Sequence, residues 1–199
     1  MKVKNWMKVN PVTIERTALL QEAAALMEEH AIRHLPVVED DQLVGFITQT
    51  DLRQYFFPSM VERIPVHDVM VANPITIDVN SSIEKAARLI HDFKIGGLPV
   101  MDKKKLVGVI TSSDIVSGFI EVMGLLRNSI RLDLVVSDDG GVDDALRIIK
   151  QHEIEILSVA TGTQPSQSKV YYFRLGRGDI DSVVVDLETA GHKVLSVMD

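Results

Sequence analysis

Apolar positions in the first two thirds of the chain fall into two identical cycles. Asn10-Pro11 marks a turn and opens a short extended piece ending at Ile14. Leu19, Ala23, Leu26, Met27 and His30 then recur at three- and four-residue spacing, which predicts one face of a helix. Leu35-Pro36-Val37 is extended, and its proline suits a strand start or an edge. The polar turn Glu39-Asp40-Asp41-Gln42 leads into a strand, Leu43 to Thr48, and a second helix starts near Gln49. The unit reads β-α-β-β-α with a hairpin at its centre.

The same cycle returns 63 residues later. Asn73-Pro74 matches Asn10-Pro11, Leu98-Pro99-Val100 matches Leu35-Pro36-Val37, and Leu106 to Thr111 matches Leu43 to Thr48. Between positions 6 and 51, 18 of 46 residues recur identically without a gap. The second helix face is Ile83, Ala86, Ala87, Ile90 and Phe93. A unit of about 60 residues buries only a modest part of its surface. Two copies can pack sheet on sheet around a pseudo-twofold axis, which creates two equivalent clefts.

After Gly124 the 63-residue pattern stops. Ser129 to Val136 alternates as a strand, Asp138 to Gly141 is a turn, and Val142 to His152 has helical spacing. Glu155 to Thr161 and Val170 to Leu175 read as strands flanking a long loop, Gly162 to Ser168. Asp179 to Ala190 reads as a helix weakened by the β-branched run Val183-Val184-Val185, and Lys193 to Met198 as a last strand. This β-α-β-β-α-β order is ferredoxin-like. The expected domains are 1–62, 63–125 and 128–199, and the fold class is α/β (α+β).

Composition narrows the chemistry. The chain has 199 residues, 46% of them hydrophobic and 25% charged, as in ordinary globular proteins. A net charge of -7 argues against nucleic acid or an anionic membrane as the main partner. No apolar run approaches the ~20 residues that span a bilayer. Met1 to Trp6 does not read as a signal peptide, so a cytoplasmic protein is expected. With no cysteine, disulfides and thiolate chemistry are excluded. No P-loop, nucleophile elbow, zinc-ligand pair or dinucleotide fingerprint occurs, so an enzyme is not expected. His30 and His34 are four apart, but the helix ends between them and no third ligand is near, so no metal site is expected.

The candidate chemistry lies in Gly45-Phe46-Ile47-Thr48-Gln49-Thr50-Asp51 and its mate Gly108-Val109-Ile110-Thr111-Ser112-Ser113-Asp114. Each ends a strand with a hydroxyl, adds a second hydroxyl two residues on, and sets a carboxylate beside it in the first helical turn. Free N–H groups at a helix start favour phosphate, and an aspartate can accept from two ribose hydroxyls. Thr-x-x-Asp is equally a helix-capping pattern, and the two readings are compatible.

Residues 1 to 122 resemble the CBS domain, in tandem. Three features carry the resemblance in both copies: Asn-Pro-x-Thr-Ile, Leu-Pro-Val, and Gly-h-h-Thr-x-x-Asp with h apolar. The resemblance implies clefts that take AMP, ADP, ATP or S-adenosylmethionine and regulate an attached or associated protein. It implies that Thr48, Thr50 and Asp51 contact ribose and phosphate at one cleft, and Thr111, Ser113 and Asp114 at the other. Val12 and Ile75 would flank adenine. The segment before Leu-Pro-Val would also line the site, with Arg33 and His34 in one copy and Gly96 and Gly97 in the other, so unequal clefts are expected. Arg33 reads equally as a phosphate partner or as a solvated residue at a helix end.

Residues 128 to 199 resemble the ACT domain by element order. Asp139-Gly140-Gly141 takes the place of that family's effector loop, although the usual Pro-Gly is absent. A dimerisation domain without ligand is the alternative. The order CBS-CBS-ACT resembles the acetoin-utilisation AcuB family, implying a homodimeric regulator near acetoin or related carbon metabolism. A ligand-free assembly module acting on a partner protein is the rival reading.

Overall fold

The computed structural model describes residues 1–53, 55, 64–163 and 169–199. The chain divides into two compact units, Met1–Val116 and Ser117–Asp199.

The two repeats build the same elements, the last helix of the second running past Val116 into the second unit. After a single 3-10 turn, the first repeat forms β1 (Lys8–Val9), β2 (Ile14–Glu15), α1 (Leu20–Glu29), β3 (His34–Glu39), β4 (Gln42–Thr48) and α2 (Gln49–Arg53). The second forms β5 (Val71–Ala72), β6 (Ile77–Asp78), α3 (Ile83–Phe93), β7 (Gly97–Asp102), β8 (Lys105–Thr111) and α4 (Ser112–Val122). The repeat also fixes backbone detail. Asn10 and Asn73 both sit at φ 49°, ahead of their prolines, and Ala31 and Lys94 follow the helices at 51° and 53°. Asparagine tolerates this left-handed region better than most residues.

Each sheet borrows its outermost strand. The strand orders are β2-β3-β4-β5 and β1-β8-β7-β6. Thus β5 of the second repeat pairs antiparallel with β4 of the first (Gly45 opposite Ala72), while β1 pairs with β8 (Val9 opposite Gly108). Pro36 lies in an inner strand rather than at an edge. It is tolerated because the parallel partner β2 covers β3 only at Val37 and Val38.

Burial on α1 follows the sequence reading at Ala23, Leu26 and Met27 and departs from it at the two ends. Leu20, Ala23 and Met27 face the core, while Leu19 is partly exposed and His30 is exposed. On α3, Ile83 and Ala86 are buried, whereas Phe93 at the last position is 56% exposed. The first repeat's core joins these α1 residues to Leu35, Val37 and Ile47 from the sheet and Val66 from the second repeat.

The second unit comprises β9 (Ile130–Val135), α5 (Gly141–Gln151), β10 (Ile156–Thr163), β11 (Lys169–Leu175), α6 (Ile180–Thr189) and β12 (Lys193–Met198). The sheet order is β10-β11-β9-β12, with every neighbour antiparallel, which is the ferredoxin-like topology. Part of the expected Gly162–Ser168 loop lies outside the described residues; Gly162 and Thr163 themselves extend β10. The valine run does not break α6. Val183 is fully buried and Val184 packs on the core formed by Leu132, Leu134, Phe173 and Ile149, so burial outweighs weak helix propensity.

Candidate functional site

The Thr-x-x-Asp turns have the same geometry in both repeats. The Thr48 N–H and hydroxyl donate to Asp51 Oδ2 at 2.8 and 2.7 Å, and the Asp51 N–H donates back to Thr48 Oγ1 at 3.3 Å. The corresponding distances for Thr111 and Asp114 are 2.8, 2.7 and 3.4 Å. Capping is therefore real in both copies. It uses one carboxylate oxygen; among the described residues, Oδ1 of each aspartate has no hydrogen-bond partner, so an acceptor is left over.

Around the first turn lies a cleft of about 550 Å³, within the range of small-molecule pockets. The first repeat contributes Arg33, His34, Phe46, Thr48, Thr50 and Asp51. The second contributes Val71, Pro74 and Ile75, together with the segment from Lys94 to Gly97. Strand exchange explains this mixture, because β5 on the edge of the first sheet carries Val71 and leads into Pro74 and Ile75. Arg33 thus serves its own repeat's cleft. The Arg33-His34 and Gly96-Gly97 segments line one cleft together rather than one each.

His34 stands near the pseudo-twofold axis. Its ring stacks on Phe46, with centroids 5.9 Å apart at 24°. It also covers Gly96: a Cβ there would lie 2.5 Å from His34 Nε2. At Gly97, the repeat-mate of His34, a Cβ would lie 3.3 Å from the ring. Burial first, then Arg33, holds the imidazole below its ordinary pKa of 6.5, while Asp114 and Asp51 pull it upward. His30, by contrast, is exposed at the end of α1.

The cleft has three cations, Arg33, Arg53 and Lys94, against the single carboxylate of Asp51. This supply of positive charge replaces the helix-start argument on this side, because α2 is only five residues long. Sequence reasoning missed Phe46, Arg53, Val71, Pro74 and Lys94. The Asn-Pro repeat could have flagged Pro74, but only the exchanged strand brings it across to the other repeat.

The remaining candidates lie elsewhere. Thr111, Ser113 and Asp114 stand outside this cleft's lining, although Ser112 reaches it. Val12 is half-buried against the first repeat's core. A Cβ at Gly45 would clash with Met70 Sδ, so the glycine makes room for the other repeat's methionine. In the second unit, Gly140 precedes α5 and Gly141 is its first residue, at φ 61° with open space around it. Behind this loop the Ser137 N–H donates to Nδ1 of buried His192 at 3.0 Å, which leaves Nε2 protonated to donate to Asp144 Oδ2 at 3.2 Å. Arg147 also donates to Asp144, and its guanidinium holds that carboxyl below its ordinary range.

The family model described as "CBS domain" matches residues 3–57 and again 66–121. The chain belongs to the CBS-domain family. Solved CBS structures share the fold of this part. The CBS domain pair of protein MJ0100, in complex with 5'-methylthioadenosine and S-adenosyl-L-methionine, is 30% identical with a TM-score of 0.55, over 60% of this chain and 95% of that one. CBSX2 in complex with AMP is 27% identical with a TM-score of 0.56, over 61% and 97%. The protein assigned to acetoin utilization (AcuB) in Vibrio cholerae is 34% identical with a TM-score of 0.56, over 65% and 97%. This chain carries a CBS pair followed by a ferredoxin-like unit.

Proposed function

We propose that this protein is a regulatory sensor, not an enzyme, whose CBS pair takes an adenosine-type ligand: AMP, ADP, ATP or S-adenosylmethionine. The observation that carries this reading is the cleft in which the spare oxygen of Asp51, the hydroxyls of Thr48 and Thr50, and the apolar wall of Val71, Pro74 and Ile75 converge. The carboxylate and hydroxyls suit a ribose. The apolar wall and the His34 ring suit an adenine face. Arg33 supplies charge for a phosphate. Thr111, Ser113 and Asp114, with Val12, serve the equivalent second position.

Ligand binding favours one packing of the two repeats, by no more than the ligand's differential affinity for the two packings. The response passes to the C-terminal unit, read here as an ACT-like domain with Asp139, Gly140 and Gly141 at its effector position, or to a regulated partner protein. The AcuB likeness points to acetoin or related carbon metabolism, in a cytoplasmic homodimer. A second reading, a ligand-free assembly module, is favoured by one observation. An apolar groove of about 700 Å³ runs along α1 and α2, lined by Leu20, Ala24, Met27, Ile32, Leu52 and Tyr55.

Calorimetric titration of the Asp51→Ala, Asp114→Ala and double variants tests the site. Loss of a carboxylate acceptor weakens the ligand about tenfold. Each variant also loses a cap, so its unliganded stability falls by about 1 kcal/mol. Affinity unchanged in both single variants and in the double variant contradicts the assignment.

A further inference from the structure

The hairpin tips of the two repeats carry opposite charge on the same backbone. Each hairpin closes with a two-residue turn: Asp40-Asp41 between the paired Glu39 and Gln42, and Lys103-Lys104 between the paired Asp102 and Lys105. The turns are mates at the 63-residue offset, so each aspartate has a lysine as its counterpart. Asp40 lies at φ 49° and Lys103 at φ 56°. Aspartate enters this left-handed region more readily than most residues, because its short polar side chain can bond locally; lysine has no such help. Turn chemistry therefore accounts for Asp40 but not for Lys103.

Asp40, Asp41 and Lys103 to Lys105 are all exposed. None of them forms an ion pair among the described residues, whereas Glu39 beside them is held by Arg16 at 3.1 Å. The two tips border one groove of about 750 Å³. Asp41 lines it from the first hairpin and Lys103 to Lys105 from the second, with Pro11 and Leu106 among its apolar lining. One end of the pair thus displays an anionic turn beside a cationic one.

We propose that this end of the CBS pair is a contact surface for a second copy of the chain. The axis relating the repeats carries one tip onto the place of the other with its charge reversed. Consider a half-turn about a line perpendicular both to that axis and to the line joining the tips. It sets each aspartate turn of one copy against the lysine turn of the second. The contact is isologous and closes after two copies. Tips of like charge would repel in the same arrangement. Exposed ion pairs contribute little each and are screened by salt, so the association is weak and salt-sensitive. No tip residue lines the cleft at Asp51 or the groove along α1 and α2, so the surface stands apart from the adenosine reading.

Sedimentation velocity of the full chain and of two charge-reversal variants tests the surface. Lys103→Glu with Lys104→Glu makes both tips anionic, and Asp40→Lys with Asp41→Lys makes both cationic. Lys103 shows that this backbone conformation accepts a lysine. Melting curves check that both variants remain folded. In the wild type, raising salt from about 0.1 to about 1 M shortens the screening length from about 10 to about 3 Å and should weaken self-association about tenfold. Each variant alone should lose this salt-sensitive step. An equimolar mixture of the two should regain it, because every anionic tip then meets a cationic one. A mixture that sediments as the sum of its components overturns the proposal. So does a wild type without a salt-sensitive step, or a step that survives either reversal.

Discussion

His34 has a job that its position in the sequence does not announce. A residue and its repeat-mate meet only near the axis relating the repeats, and His34 meets Gly97 there. The larger ring on one side fits because the other side is glycine. The capping role of Thr48 and Asp51 was legible from their spacing. The His34 packing was not, because it joins residues more than 60 apart through a fold that the spacing alone does not build. Its titration gives a test. The groups facing it are Arg33, Asp51 and Asp114, with Arg53 and Lys94 on the cleft rim. Since burial lowers its pKa in the folded state, the unfolded chain binds more protons below pH 6.5. Stability is thus fully present above that pH and falls as pH drops toward the lowered value. Melting temperatures from pH 7.5 to about 5.5, without ligand, should fall more steeply for the wild type than for His34→Gln. Parallel curves would show that His34 titrates like a solvent-exposed imidazole.

Strand exchange is the element-scale feature that turns a repeat into a cleft. The β-α-β-β-α order, the hairpins and the ferredoxin-like order of the second unit were readable from periodicity and turn residues. Which sheet β1 and β5 would join was not, because two-residue strands carry almost no periodicity. The glycines at the exchange points report on it. The three atoms nearest an added Cβ at Gly45 all belong to the flexible Met70 side chain. At Gly108 it meets Met7 Sδ and also the backbone oxygen of Lys8, each at 2.7 Å. Both Gly45→Ala and Gly108→Ala should destabilise by about 1–3 kcal/mol. The outcomes should separate when the methionine is shortened: Met70→Ala rescues most of the Gly45→Ala loss, whereas Met7→Ala leaves most of the Gly108→Ala loss in place. Denaturant melts of the four single and two double variants measure this. Equal rescue in both pairs would mean that β1 is not held against β8 as described.

For the whole molecule, charge and chemistry are unevenly distributed. The chain carries a net charge of -7, yet the rim of its cleft is cationic. The tandem pair was legible from an ungapped repeat, and the family match covers both copies. The C-terminal topology was legible too, although its ligand chemistry is not encoded by any motif as specific as Thr-x-x-Asp. An adenosine compound that binds only the folded pair must raise its stability. The measurement is the melting temperature of the purified full chain, alone and with AMP, ADP, ATP, S-adenosylmethionine and a set of amino acids. The melting temperature should rise in a dose-dependent way with at least one adenosine compound, and the rise should be lost in the Asp51→Ala, Asp114→Ala double variant. No rise with any of them at millimolar concentration, or a rise with amino acids alone, contradicts adenosine binding.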